Sequence, residues 1–172
     1  MTSMWRTSGW ILVGSALILA LSLGVRHGFG LFLAPMSAEF GWGRETFAFA
    51  IALQNLIWGL AQPFTGALAD RFGASKAVLV GGVLYAVGLV LMGMSDSAWS
   101  LSLSAGLLIG IGLSGTSFSV ILGVVGRAVP PEKRSIAMGI ASAAGSFGQF
   151  AMVPGTLGLI SWLGWSAALL AL

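Results

Sequence analysis

The sequence has no cysteine, a single histidine (His27) and few charged residues of either sign. The lack of cysteine excludes disulfide bonds, thiolate nucleophiles and cysteine-bound metals, and one histidine excludes a multi-histidine metal site. Charged residues make up 8% of the chain, whereas a soluble domain has about a quarter. We also find no nucleophile paired with a base and no phosphate-binding loop. We therefore expect a protein that is not an enzyme and has no catalytic residue, cofactor or metal.

What the chain does have is 57% hydrophobic residues, 26 glycines and 172 residues in all. A helix needs about 20 apolar residues to cross a bilayer, and the sequence divides readily on that length. We predict an all-α membrane protein, a multi-span helical bundle forming one domain over residues 1–172. The predicted spans are 10–34, 46–69, 77–95, 99–125 and 135–159, followed by 165–172, which is too short to cross and is an incomplete sixth helix.

The basic residues are distributed unevenly between the two sides of the predicted membrane, and Lys and Arg favour the cytoplasmic side. This places the N-terminus in the cytoplasm, and it explains the pI of 10.2 without nucleic-acid binding. We expect a bacterial inner membrane location. The inner side has Arg6, Arg71, Lys76, Arg127, Lys133 and Arg134 against Asp70 and Glu132, and the outer side has Arg44 against Glu39, Glu45 and Asp96.

The N-terminus also allows a second interpretation. A basic start ending at Arg6, an apolar run and the small residues Ser22 and Gly24 are typical of a cleaved signal peptide. Against this, the apolar run resumes at Phe29, which favours one long helix interrupted by Arg26 and His27. Either interpretation gives the rest of the chain the same orientation.

Short turns separate the spans. Pro35 is predicted to end the first helix, and Gly43 to be the N-cap of the second, after the outer turn Gly41-Trp42-Gly43. Pro130 and Pro131 predict a break on the cytoplasmic side. Small residues also recur four apart in the fourth span, which predicts close helix packing; they are Gly106 with Gly110, and Gly115 with Ser119 and Gly123.

The loop between the second and third predicted spans resembles the signature loop of the major facilitator superfamily of secondary transporters, which reads G-x-L-a-D-r-x-G-r-k. This chain departs from that pattern at Ala74 and Ser75 and has Lys76 one residue late. The residues that match are Gly66, Leu68, Asp70, Arg71, Gly73 and Val78. The outer turn Phe40-Gly-Trp42, the Pro130–Arg134 loop and the run Gly145-Ser-Phe-Gly-Gln149 resemble the monocarboxylate and oxalate/formate exchanger branch.

The resemblance implies the amino-terminal lobe of a twelve-helix, two-lobed bundle. In that fold spans one and four line a central cavity, and spans two and five face the other lobe. It also implies that the 66–76 loop latches the cytoplasmic side, with Arg127 as a candidate partner of Asp70. The partners expected are a lipid bilayer, a small organic anion, and a missing carboxy-terminal lobe or a second copy of the chain.

Arg26 is the leading candidate for substrate binding, because a charge deep in a span needs a partner, a ligand or water. Helical spacing puts Ser15, Ser22 and Arg26 on one face, with His27 about 100° away. One interpretation is that Arg26 attracts an anionic substrate; the other is that it reaches the outer headgroups. His27 is also a candidate for proton coupling.

Uncharged polar residues in the other spans give further candidates. Asn55, Gln62 and Gly66 share a face of the second span with Gln54 alongside, and amides there either bind substrate or join helices. Ser114 and Ser117 are cavity candidates by resemblance alone. In the fifth span a polar stripe is implied to face the opposite lobe; it comprises Ser135, Ser142, Ser146, Gln149 and Thr156.

We therefore expect a secondary active transporter of a small organic anion such as a monocarboxylate, working by alternating access. Two alternatives stay open. One is efflux of lipophilic compounds, which a buried Arg26 argues against. The other is a half-size membrane protein that serves as an assembly partner or a non-transporting remnant.

Overall fold

The computed structural model describes the backbone of residues 2–172 and the side chains of residues 9–172. Arg6, counted above among the inner charges, therefore lies outside the described side chains. Within the described backbone all regular structure is helical, as predicted. The α-helices are α1 (Thr2–His27), α2 (Leu33–Phe40), α3 (Arg44–Phe72), α4 (Ala74–Gly93), α5 (Ala98–Leu101), α6 (Ile109–Thr116), α7 (Phe118–Ala128), α8 (Arg134–Leu163) and α9 (Trp165–Ala171).

Short segments of different winding join some of these helices into longer rods. A 3₁₀ segment (Gly28–Phe32) joins α1 to α2, and a π-helical segment (Ser102–Leu108) joins α5 to α6. Five rods in the described residues are long and apolar enough to cross a membrane. These spans are Gly9–Phe40, Arg44–Phe72, Ala74–Gly93, Ala98–Ala128 and Pro131–Leu163.

The end of the first span corrects the prediction based on Pro35. The helix continues through Pro35 to Phe40, and Gly41 ends it with a left-handed φ of 67°. Pro35 is tolerated because it lies in the first turn of α2, directly after the 3₁₀ segment, where its missing N–H is least needed. The first span is therefore longer than predicted.

The other turns agree better with the sequence. Gly43 is the N-cap of α3 and has extended backbone angles, as expected. Gly73 separates α3 from α4 with a φ of 96°, a conformation that glycine adopts without strain. A capping box that the sequence analysis did not identify starts α5, where Ser97 and Ser100 satisfy each other's backbone N–H groups.

The fourth span lies at the centre of the bundle. In its most apolar 18-residue window 61% of the residues are buried, against 17% in the second span. It packs on the second and third spans and also on the first. The first span packs mainly on the fifth. Helix α9 packs on the third and fifth spans. The larger core cluster, centred on Phe29, Phe32, Met36, Ile109 and Leu113, joins the first four spans and α9.

Two helix crossings are close enough to require glycine. A Cβ at Gly112 in the fourth span would lie 2.7 Å from the backbone nitrogen of Tyr85 in the third span. A Cβ at Gly148 in the fifth span would overlap the backbone of Ala20 in the first. Small residues at these contacts allow the backbones to approach. The spaced pair Gly106 and Gly110 packs on the second span instead, where a Cβ at Gly110 would lie 3.0 Å from the carbonyl oxygen of Gln54. Close packing is therefore confirmed for that pair.

The fourth span is not one uniform helix. Ser117 has φ −89° and ψ 176°, so α6 ends at Thr116 and α7 starts at Phe118. This break overturns the predicted common face of Gly115, Ser119 and Gly123, because the helical phase does not carry across Ser117. Gly115 packs on Gly81 of the third span, whereas Ser119 is exposed.

Candidate anion-binding site

Arg26 lies at the end of α1, half-buried, and is held by the second span. One of its terminal nitrogens donates a hydrogen bond to Oδ1 of Asn55. Its guanidinium carbon lies 4.8 Å from the ring centroid of Trp58, over the ring. The Asn55 amide nitrogen donates to the carbonyl of Ile51 at 2.8 Å, so the amide oxygen is the atom left to face Arg26. The two sequence candidates Arg26 and Asn55 are therefore brought together.

Helical spacing explains this arrangement. Asn55 and Trp58 are three residues apart in α3 and so lie on the same face. Together they contact the Arg26 guanidinium at its edge and on its face. Among the described side chains, Nε of Arg26 and Nε1 of Trp58 are buried and have no hydrogen-bond partner. Part of the donor capacity of the pair is therefore unused by the protein itself.

Arg26 borders a cleft of about 570 Å³ between the first and second spans. His27 is exposed at the same cleft, next to the cation, as the sequence suggested. This cleft lies between spans one and two, because α3 supplies the wall opposite Arg26. The central cavity that the resemblance implies spans one and four to line stays a prediction. Its other lining residues are Phe29, Gly30, Leu33, Phe47, Ala48, Ile51, Ala52, Gln54 and Asn55.

Gln54 joins two helices. It is fully buried, and its amide nitrogen donates to the carbonyl of Ala105 in the fourth span at 2.7 Å. Its Oε1 has no partner among the described residues. The helix-joining interpretation of the amides in the second span is therefore confirmed for Gln54, while Asn55 contacts the cation instead.

The candidate serines lie away from this cleft. Ser22 is buried, and its hydroxyl donates to the carbonyls of Ile18 at 2.7 Å and Thr116 at 3.2 Å. Ser114 shares a hydrogen bond of 2.7 Å with Thr65 of the second span. Ser117 donates to the carbonyl of Ser114 at 3.2 Å, at the break in the fourth span. All three hydroxyls therefore form hydrogen bonds to other residues of the lobe, away from the cleft.

The predicted pair of Asp70 and Arg127 lies beside the turn between the second and third spans. Nη1 of Arg127, at the end of the fourth span, lies 3.3 Å from Oδ1 of Asp70, and both side chains are largely exposed. Arg71 points elsewhere, with its guanidinium over the ring of Phe72. Leu68 is exposed and Gly66 half-buried in the last turns of α3, and Gly73 makes the turn.

The polar stripe of the fifth span divides into two environments. Ser135 and Ser146 are exposed, and Ser142 and Gln149 are half-buried. Thr156 instead is fully buried and packs against Gly28 of the first span. The face of α8 that packs on the first span comprises the small residues Ala137, Ala141, Gly145 and Gly148. Ser142, Ser146 and Gln149 lie beside that face.

Two residues near Arg26 do not stand out in the sequence. Trp58 was not singled out, although its spacing from Asn55 on the face already described would have identified it. Tyr85 of the third span is buried and donates to the carbonyl of Ser22 at 3.1 Å, one turn before Arg26. No periodicity connects Tyr85 to that turn, because the contact joins different helices.

Comparison with known proteins agrees with this architecture. A model of the Major Facilitator Superfamily matches residues 12–172. The chain belongs to the Major Facilitator Superfamily. With its five long apolar helices, this member of the superfamily is an integral membrane protein.

Among its relatives in the superfamily are named transporters. The chain is 32% identical to Monocarboxylate transporter 11 of Mus musculus over 165 residues, covering 95% of this chain and 36% of that protein. It is 33% identical to Monocarboxylate transporter 13 of Bos taurus over 163 residues, covering 94% and 38% respectively. A bacterial relative, the uncharacterized MFS-type transporter YhjX of Escherichia coli, is 28% identical over 85% of this chain and 35% of its own length. The chain thus spans little more than a third of the length of these relatives.

Proposed function

We propose that this chain is one lobe of a secondary transporter that moves a small organic anion, such as a monocarboxylate, by alternating access. Arg26 is the group that binds the anion. The lobe acts together with a second lobe or a second copy of itself, in a bacterial inner membrane with the N-terminus in the cytoplasm. Two relatives named as monocarboxylate transporters support the substrate class.

The observation that carries the proposal is the environment of Arg26. A charge at this depth of a span costs about 2.5–3.5 kcal/mol or more. Asn55 and Trp58 offset part of that cost, but neither has a negative charge to neutralise the cation. Among the residues lining the cleft there is no Asp or Glu. A carboxylate from the substrate would supply the missing negative charge through charge-assisted hydrogen bonds to the guanidinium.

The test is uptake of radiolabelled pyruvate by liposomes containing the protein expressed from its complete reading frame. We expect Arg26→Ala to abolish uptake, because the cation is removed from the cleft. Arg44→Ala is the matched control, since it removes an exposed arginine at the start of α3. Uptake by Arg26→Ala at the rate of the unmodified protein would refute the proposal. Uptake of a lipophilic cation but not of pyruvate would favour efflux instead.

A second part of the proposal concerns the ion pair of Asp70 with Arg127. We propose that this pair joins the second span to the fourth in one conformation of the transport cycle and opens in the other. The exposure of both side chains supports this role, because an exposed pair stabilises a fold by only about 0–1 kcal/mol and is easily broken.

A further inference from the structure

The stacking of Arg26 on Trp58 is not accounted for by anion binding alone. Trp58 is half-buried and packs against the larger core cluster, so its ring is held in place from behind. It does not line the cleft that Arg26 borders. A bound anion in the cleft would therefore contact Arg26 but not the ring of Trp58.

The cleft and the ring of Trp58 lie on opposite sides of Arg26. The cleft extends from Arg26 towards Leu33 along the first span and from Asn55 towards Phe47 along the second. Trp58 follows Asn55 by about one helical turn, in the direction away from the cleft. Arg26 therefore lies between the cleft and the indole ring, at the end of the cleft nearest Trp58.

An arginine side chain that is free to move loses about 2 kcal/mol of rotamer entropy when it is fixed. In this structure Asn55 fixes one edge of the guanidinium and Trp58 supports its face. A cation over an indole face gains about 0.5–1 kcal/mol at an exposed site and about 2 kcal/mol when desolvated. The ring therefore holds the cation in place before an anion arrives.

We propose that Trp58 is a positioning residue, which holds the Arg26 guanidinium at the end of the cleft for an incoming carboxylate. This inference rests on the proposed function, because it takes Arg26 as the anion-binding group. The face of the indole ring, and not its N–H, holds the guanidinium.

Two substitutions separate these parts. Trp58→Phe keeps an aromatic face and removes the N–H, whereas Trp58→Leu keeps an apolar side chain and removes both. We expect Trp58→Leu to raise KM for labelled pyruvate by about 5- to 30-fold, with kcat changed less than about twofold. Trp58→Phe should stay within about threefold of the unmodified protein in both constants.

Three results would overturn the inference. One is a KM for Trp58→Leu that equals that of the unmodified protein. Another is an equal increase in Trp58→Phe and Trp58→Leu, which would assign the effect to the N–H. The third is a fall in kcat for Trp58→Leu as large as the rise in KM, because a residue that only positions the binding cation should act on KM.

A measurement on folded protein covers the case in which Trp58→Leu fails to fold. The difference between the fluorescence of the unmodified protein and that of Trp58→Phe reports on the Trp58 ring. We expect pyruvate to change this difference signal, and Arg26→Ala to remove the change. A signal that pyruvate leaves unaltered while it is transported would refute the inference about Trp58 alone, whereas normal transport by Arg26→Ala refutes the proposed function.

Discussion

The second and fourth spans are both apolar enough to cross a membrane, yet they are buried in the lobe to very different extents. The fourth is 61% buried and the second 17% in their most apolar windows. The fourth contributes glycines to close crossings, while the second contributes Asn55, Trp58 and Asp70 to exposed or half-exposed contacts. Substitutions at the buried glycines of the fourth span should therefore affect folding, and those on the exposed face of the second span should affect function.

The largest effect should come from enlarging a glycine in the fourth span. Gly112→Leu forces the side chain against the backbone of Gly81 and Tyr85 in the third span. Adding methylenes to a packed core costs about 1–3 kcal/mol, and backbone cannot move aside as a side chain can. We expect little or no monodisperse protein in size-exclusion chromatography.

The matched control is Gly59→Leu, in the second span. Apart from its own neighbours in the helix, no atom lies within 4 Å of a Cβ built at Gly59. We expect this variant to elute like the unmodified protein. Equal losses in the two variants would contradict the contrast between the two spans.

The backbone of this lobe can be predicted from the sequence further than its side-chain contacts can. The spans and the glycine turns at Gly43 and Gly73 depend on apolar length and backbone preference, which are local properties. The end of the first span cannot be predicted from Pro35 in this way. The 3₁₀ segment places Pro35 in the first turn of α2, where its missing N–H does not end the helix. The same holds at Ser117, because the small polar residues from Ser114 to Ser117 are equally compatible with a continuous, closely packed membrane helix.

At the candidate site the sequence identified Arg26, His27 and Asn55, since a charge or amide inside a span is conspicuous. It did not identify Trp58 or Tyr85, because aromatic residues are common in apolar helices and only the helix pairing brings them to Arg26. Ser22 shares the predicted face with Arg26, yet it bonds the fourth span. A helical face can contact two neighbours, and spacing alone does not separate them.

A medium effect is expected at Gln54, the residue that joins the two contrasted spans. Gln54→Ala leaves a cavity at a fully buried position and should lower the free energy of unfolding by about 2–4 kcal/mol. Gln54→Leu fills the site and removes both the bond to Ala105 and the unpartnered Oε1, so it should change stability by less than about 1 kcal/mol. Thermal unfolding in detergent measures both variants. If Gln54→Leu is as unstable as Gln54→Ala, the spans are joined by the hydrogen bond of the Gln54 amide and not by the volume of its side chain.

A smaller effect is expected at Tyr85, which belongs to the third span but reaches the turn before Arg26. Tyr85→Phe removes the hydrogen bond to the carbonyl of Ser22 and should lower stability by about 0.5–1.5 kcal/mol. Thermal unfolding, with Tyr85→Phe compared to the unmodified protein, measures the change. A loss several times larger would show that the fit of the whole ring depends on the hydroxyl.

The smallest effect on stability is expected at Asp70. Asp70→Asn removes an exposed ion pair, and the free energy of unfolding should change by less than about 1 kcal/mol. If the pair acts as a latch, pyruvate uptake should nevertheless slow markedly, and the charge swap of Asp70→Arg with Arg127→Asp should restore part of the rate. Unchanged turnover with normal expression would leave Asp70 and Arg127 without a role in the transport cycle.

The 3₁₀ segment Gly28–Phe32 has a consequence for experiments that map the first span residue by residue. A 3₁₀ helix turns about 120° per residue and an α-helix about 100°, so five residues rotate the downstream helix α2 by about 100° relative to a uniform helix. A helical wheel drawn through the whole span therefore misplaces α2 by more than a quarter turn. Because the chain has no native cysteine, single cysteines introduced along this span can be labelled without background, and their accessibility should shift in phase after His27.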